Sequence, residues 1–140
     1  MASFPLSAKS LDLPLYIIRH YKAAKQDGAA KSAVDEAVAY YLGLKSKQKE
    51  DKGRFILQGL TVRAYVEGGQ WQDALDGLDK IARDYPKNSP EEALWMKALI
   101  YTNKMKDKLK AKEELQKIIN EYPQSKLAKA AQELLKRIKP

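Results

Sequence analysis

Apolar residues recur along this chain at three- and four-residue intervals almost from end to end. That is the period of an α-helix with one face buried. No run shows the sustained apolar/polar alternation of a strand bounded by hairpin turns. Pro14 fits just inside the start of a first helix, where a missing N–H costs little; Ile17, Tyr21 and Ala24 fall on one face, and "QDG" at 26–28 closes it. Ala33, Val34, Ala37, Val38, Tyr41 and Leu42 make a second stripe, expected to end near Gly43. "KSKQKEDKG" at 45–53 is polar and is expected to form an exposed, mobile connection. A third stripe from Arg54 carries Leu57, Leu60, Ala64 and Tyr65 and stops at "EGG"; a fourth carries Trp71, Ala74, Leu75, Leu78, Ile81 and Ala82 and stops at "DYP". Proline cannot continue a helix and pushes the residue before it out of the α region.

Ser89-Pro90-Glu91-Glu92 predicts a helix start: Ser89 as cap, Pro90 at the first helical position, two acids at the positive end. The fifth helix, through Tyr101, is apolar nearly all round and is expected to be covered on more than one side. Ala111, Leu115, Ile118 and Ile119 mark a sixth helix ending at "EYP". Ser125 caps a seventh with Leu127, Ala131, Leu134, Leu135 and Ile138. The pattern therefore predicts an all-α chain of about seven antiparallel helices joined by short turns.

The turns themselves repeat. "RDYPKNS" at 83–89 returns as "NEYPQS" at 120–125. Around them, "AYVEGGQWQDALDGLDKIARDYP" aligns with "IYTNKMKDKLKAKEELQKIINEYP", matching Tyr65 to Tyr101, Ala74 to Ala111, Leu78 to Leu115 and Pro86 to Pro123. An alanine lets two antiparallel helices approach, and a large residue one turn on fills the space beside it.

This pattern resembles the tetratricopeptide repeat, a helix–turn–helix unit of about 34 residues. The unit from Phe55 to Pro86 carries it best, with Tyr65, Gly69, Trp71, Ala74, Leu78 and Pro86. The unit at 89–123 departs from it: its inner turn is one residue longer and has Lys104 and Met105 in place of a glycine. Residues 14–43 are readable as a degenerate helix pair through Tyr21, Ala30, Val34 and Ala37, and 125–138 as a capping helix. The "YPxS" boundary looks like tetratricopeptide proteins of bacterial cell envelopes. The resemblance implies one domain over 1–140, its helix pairs stacked into a short right-handed superhelix, a tetratricopeptide-like α-solenoid.

It also implies a function. In such a superhelix the first helix of each pair lines a concave groove that holds a peptide or helix of a partner protein. The groove positions implied here are Gly59, Arg63 and Val66 in the pair at 54–86, then Trp95, Leu99 and Thr102 with Asn103 nearby, and, by matching Ala93 to Ala131, Glu133 and Arg137 of the cap. An apolar centre flanked by cations suits an acidic segment with an aromatic or aliphatic anchor. Trp95 can also be read as core.

Composition adds limits. The chain has no cysteine and one histidine, His20, which excludes disulfides, thiolate metal sites and multi-histidine zinc sites. "EGGQ" at 67–70 follows no strand and precedes no Lys-Ser/Thr, so it is not a phosphate loop. Acid pairs such as Asp73/Asp76 and Glu113/Glu114 read as helix-surface charge. No enzyme, metal or cofactor is expected. The net charge of +8 is uneven: +3 over 1–52, −2 over 53–96 and +7 over 97–140. Lys104, Lys106, Lys108, Lys110 and Lys112 support an alternative reading, a nucleic-acid or anionic-surface binder, but they alternate and do not share one helical face. Homo-oligomers by end-to-end stacking or by exchange of the first helix pair are a further expectation. No segment approaches the roughly 20 apolar residues of a membrane span. "MASFPLSAKSLDLPLYIIRHYK" lacks a signal-peptide pattern, so a cytoplasmic location is expected, or a periplasmic one if a leader has been removed.

Overall fold

A computed structural model describes residues 8–138. Among these residues there are seven helices and no strand: α1 (Ala8–Ala23), α2 (Asp27–Lys47), α3 (Asp51–Glu67), α4 (Trp71–Asp84), α5 (Pro90–Asn103), α6 (Lys108–Glu121) and α7 (Lys126–Arg137). The all-α expectation, with seven helices and short turns, is met. None of these helices is long and apolar enough to cross a membrane. Contacts divide the chain into two compact units, the boundary falling inside α4 between Gly77 and Leu78.

In the first unit, α1 and α2 pack on each other and both pack on α3. The core joins Leu11, Leu15 and Ile18 of α1, Val34, Ala37 and Tyr41 of α2, and Leu57, Leu60 and Ala64 of α3. Small residues set the close approaches. A Cβ on Gly68, just past α3, would lie 2.3 Å from Val34 Cγ2, and one on Gly77 of α4 would lie 2.8 Å from Val62 Cγ2. Gly69 takes φ +73°, the left-handed turn that glycine adopts without steric cost.

Three expectations need correction here. First, α1 begins at Ala8, so Pro14 sits well inside the helix, where it donates no hydrogen bond to the carbonyl four residues back. Secondly, its buried stripe is Leu11, Leu15 and Ile18, while Ile17 and Ala24 are exposed and Tyr21 is half-buried. Thirdly, the polar stretch 45–53 is not a loop. Helix α2 runs through Gly43 to Lys47, and only residues 48–50 separate it from α3. The physical reason is tertiary: Lys45 is buried and its Nζ donates to Gln58 Oε1 of α3 at 2.8 Å, so one lysine of the run is satisfied inside the unit.

In the second unit, α5 packs on both α6 and α7, and α6 on α7. This is the two-sided cover that its apolar composition predicts. Ala98, Ala111, Leu115, Ile118, Ala128, Ala131 and Ile138 form the core, with Leu94, Trp95, Tyr101, Leu127, Leu134 and Leu135 packed around it.

The two similar turns close alike and then diverge. Asn88 N donates to Tyr85 O, and Ser125 N to Tyr122 O, each at 3.0 Å. In the shorter turn Ser125 is extended and its side chain accepts from Leu127 N at 3.2 Å. In the longer one Ser89 is left-handed, at φ 52°, and its side chain makes no cap, so the predicted Ser89 cap is absent. Its backbone oxygen accepts from Glu92 N instead, at 2.9 Å. Helix α6 has a cap the sequence pattern did not reveal: Asp107 accepts from Lys110 N at 3.1 Å. Ser125→Ala should therefore lower stability by about 1 kcal/mol, whereas Ser89→Gly should cost nothing, because glycine accepts the left-handed φ. Urea midpoints of the two variants check both.

Candidate functional site

The sequence-derived groove residues fall into both units, three in the first and six in the second.

In the first unit, Gly59 and Val66 are half-buried and Arg63 is exposed on α3. Ile56, three residues before Gly59, is 40% exposed and extends the same stripe. On α1, which packs against α3, Asp12, Tyr16 and Arg19 follow one another at helical spacing. Arg19 Nε lies 2.8 Å from Glu67 Oε2 across the two helices, and the guanidinium carbon stands 5.3 Å from the centroid of the Tyr16 ring. Hydrogen bonding to Glu67 and its charge raise the Arg19 pKa. The charge of Asp12 raises the pKa of the buried Tyr41 hydroxyl and that of Arg63 lowers it, behind the larger effect of burial. Tyr16, Arg19 and Ile56 were not among the expected residues. The 12/16/19 spacing was readable, but only once α1 is known to start at Ala8.

In the second unit, Trp95, Leu99 and Thr102 are half-buried and Asn103 is exposed at the end of α5. Trp95 packs on the unit's core, so it is partly a core residue, yet it is not enclosed. The Thr102 hydroxyl donates to Ala98 O at 2.8 Å within α5, which uses its only proton. Glu133 and Arg137 are exposed on α7, which touches α5. The outer side of α7 is otherwise cationic, with Lys126, Lys129 and Lys136 exposed.

Next to Trp95 and Met96, Lys97 turns the other way and is buried. Its Nζ lies 2.5 Å from Asp79 Oδ1 and 3.2 Å from Glu114 Oε1. Burial opposes its charge, but the hydrogen bond to Asp79 and the charges of Glu114 and Asp79 outweigh it, and its pKa is raised. This pairing fixes α5 against α6 and the last turns of α4, and with them the outward direction of Trp95 and Leu99.

Other chemistry is sparse. His20 is exposed and meets the edge of Tyr21 at 5.4 Å between ring centroids. Among the described residues no group of three or more His, Asp or Glu side chains could hold a metal ion. A hollow of about 520 Å³ beside the α1–α2 and α3–α4 turns is lined by both Lys22 and Lys31 and both Asp27 and Asp73, so its charges offset one another. The alternating lysines do not form a stripe. Lys104 and Lys106 lie in the α5–α6 turn, Lys112 is half-buried, and Lys110 Nζ stands 5.8 Å from the centroid of the Tyr101 ring.

A family model described as a tetratricopeptide repeat matches residues 36–88 and 92–125. No curated protein and no solved structure matches the chain.

Proposed function

The chain belongs to the tetratricopeptide repeat family, and from that premise we propose that it is an interaction module that holds a peptide or helical segment of a partner protein on the outward faces of its first-position helices. Repeats of this family generally mediate protein–protein interactions. The observation that carries the reading is the α5–α7 face of the second unit: Trp95 and Leu99 remain half-exposed, and Arg137 is free to meet an acid. Large, partly open aromatic and aliphatic side chains beside cations are the composition of a binding hot spot. The partner segment is acidic and carries an aromatic or aliphatic anchor. Its anchor lies on Trp95 and Leu99, and its carboxylates meet Arg137 and the lysines of α7. Gly59, Arg63 and Val66, with Tyr16 and Ile56, give the first unit a face of similar make-up.

Capture of partners from a lysate by the full chain, followed by affinity measurement on the identified segment, tests the reading. Arg137→Glu and Leu99→Ser should each weaken binding at least tenfold while leaving the far-UV circular dichroism unchanged. Trp95→Ala should weaken it further. Equal affinity of all variants for the same segment would remove this face from the function. Binding of generic RNA or DNA at low salt, with no protein captured, would return the role to the lysine-rich helices.

A further inference from the structure

Where α5 passes into α6 the chain reads "KMKDKLKAK" over residues 104–112, five lysines against one aspartate. The aspartate is already committed. Asp107 is half-buried, and its side chain accepts from Lys110 N to cap α6. Lys106 takes φ 55°, so the backbone turns there instead of continuing a helix. Lys104, Lys106, Lys108 and Lys110 are all exposed.

Two apolar side chains stand between these lysines. Leu109 is 70% exposed, more than any other large apolar side chain of the described residues, and Met105 is 40% exposed. Leu109 lies two positions before Ala111, the first core residue of α6. At 3.6 residues per turn that is about 200° round the helix, so Leu109 points away from the core. A single exposed leucine needs no explanation. Here each apolar tip is flanked by lysine on both sides, Met105 by Lys104 and Lys106, and Leu109 by Lys108 and Lys110.

We propose that this turn docks on the anionic surface of a lipid bilayer. Leu109 and Met105 enter the boundary between headgroups and acyl chains, and the exposed lysines meet the anionic headgroups. The make-up of the turn selects lipid over the other polyanions. Its lysines form no stripe to match the fixed row of phosphates in a nucleic acid, whereas headgroups in a fluid bilayer move to the cations. Residues 104–112 hold no arginine and no aromatic side chain to stack on bases. An acidic peptide would answer the lysines and leave both tips wet. A bilayer interface takes both parts at once, because lysine stems are long enough to keep the ammonium at headgroup level while a neighbouring aliphatic tip goes deeper. Residues 78–140 carry a net +6 of the chain's +8, so the long-range attraction acts through this unit. Two short tips beside a basic cluster give reversible binding, not a permanent anchor.

Co-sedimentation of the full chain with vesicles tests it. The protein should bind phosphatidylcholine vesicles containing about 30 mol% phosphatidylglycerol and not vesicles of phosphatidylcholine alone. Leu109→Ser, which leaves the charge unchanged, should weaken binding roughly tenfold with unaltered circular dichroism. Lys106→Gly with Lys108→Glu should weaken it further. Glycine accepts the left-handed position, and an acid suits the first turn of α6, so this variant keeps its fold. Leu99→Ser, on the proposed partner-binding face, should bind vesicles like the wild type, which keeps the two readings separable. The chain has no cysteine, so a polarity-sensitive dye on Leu109→Cys reports one place. Its emission should shift to the blue on anionic vesicles, and the same dye on Glu121→Cys, exposed at the far end of α6, should not shift. No binding to the anionic vesicles would overturn the proposal. Binding that Leu109→Ser leaves undiminished would mean adsorption by charge alone and would overturn it too. Binding of generic RNA without binding of vesicles would assign the lysines to nucleic acid instead.

Discussion

Replacing Lys97 with methionine should destabilise the second unit by about 3–5 kcal/mol, a loss of roughly 12–40 °C in its melting temperature. The reason is what remains after the change. Glu114 is buried, its Oε1 accepts from Lys97, and its Oε2 has no hydrogen-bond partner among the described residues. Without Lys97 the nearest cation is the more exposed Lys117, 3.7 Å from the same oxygen. A carboxylate left in that position lacks both water and a close counter-ion. Replacing both partners, Lys97→Met with Glu114→Leu, should recover most or all of the loss, because it removes the stranded charge. Asp79→Asn should cost far less, since Asp79 is half-exposed and water replaces what it loses. Fluorescence of Trp95, followed through urea unfolding in a Trp71→Phe background, reports on this unit. If the double variant were no more stable than the single one, the packing of the lysine stem, and not the ion pair, would explain the loss.

The same pair makes a pH prediction of definite sign. The Lys97 pKa is raised, so the folded protein keeps a proton that the unfolded chain releases near its ordinary value of 10.5. Its contribution is complete at neutral pH and is lost only as the pH climbs through the alkaline range.

Such a pair is invisible in the sequence. Lys97, Glu114 and Lys117 look like any solvated helix charges, and only tertiary packing distinguishes those that turn inward. Lys45 is the same case: it reads as part of a polar linker because its partner, Gln58, is 13 residues away. What the sequence does disclose is whatever is local. Seven helices, the turn at Gly68–Gly69 and the two Tyr-Pro boundaries all follow from spacing and backbone chemistry, and all are present.

In α1 the position of the helix start decides which face is buried. Proline is favoured at the first position of a helix, so the sequence places a helix start at Pro14. With the start moved back to Ala8, the inward stripe becomes Leu11, Leu15 and Ile18, and Ile17 turns outward. That single rotation exposes Leu13 and Ile17 beside Tyr40 and brings Tyr16 and Arg19 towards α3. The buried stripes of α3 and α7 were phased as the spacing predicts. Those on α1 were not.

Tyr41 offers the second large effect, and it should appear as a crossover. This ring is fully buried, and its hydroxyl donates to the Leu11 carbonyl, tying α2 to α1. At neutral pH Tyr41→Phe should cost about 1 kcal/mol, the worth of that hydrogen bond. At alkaline pH the order should reverse. Burial, assisted by the charge of Asp12 and opposed by that of Arg63, pushes the hydroxyl up to about 12. The unfolded tyrosine ionises near 10 while the folded one holds its proton, so stability falls as the pH rises from about 10 to 12. The full loss is about 2.7 kcal/mol for two units. Phenylalanine has no proton to lose and escapes this term. Urea midpoints measured across the range should show wild type the more stable below about pH 10.5 and Tyr41→Phe the more stable above about pH 11.5. Parallel curves would mean that the phenol reaches water in the folded chain.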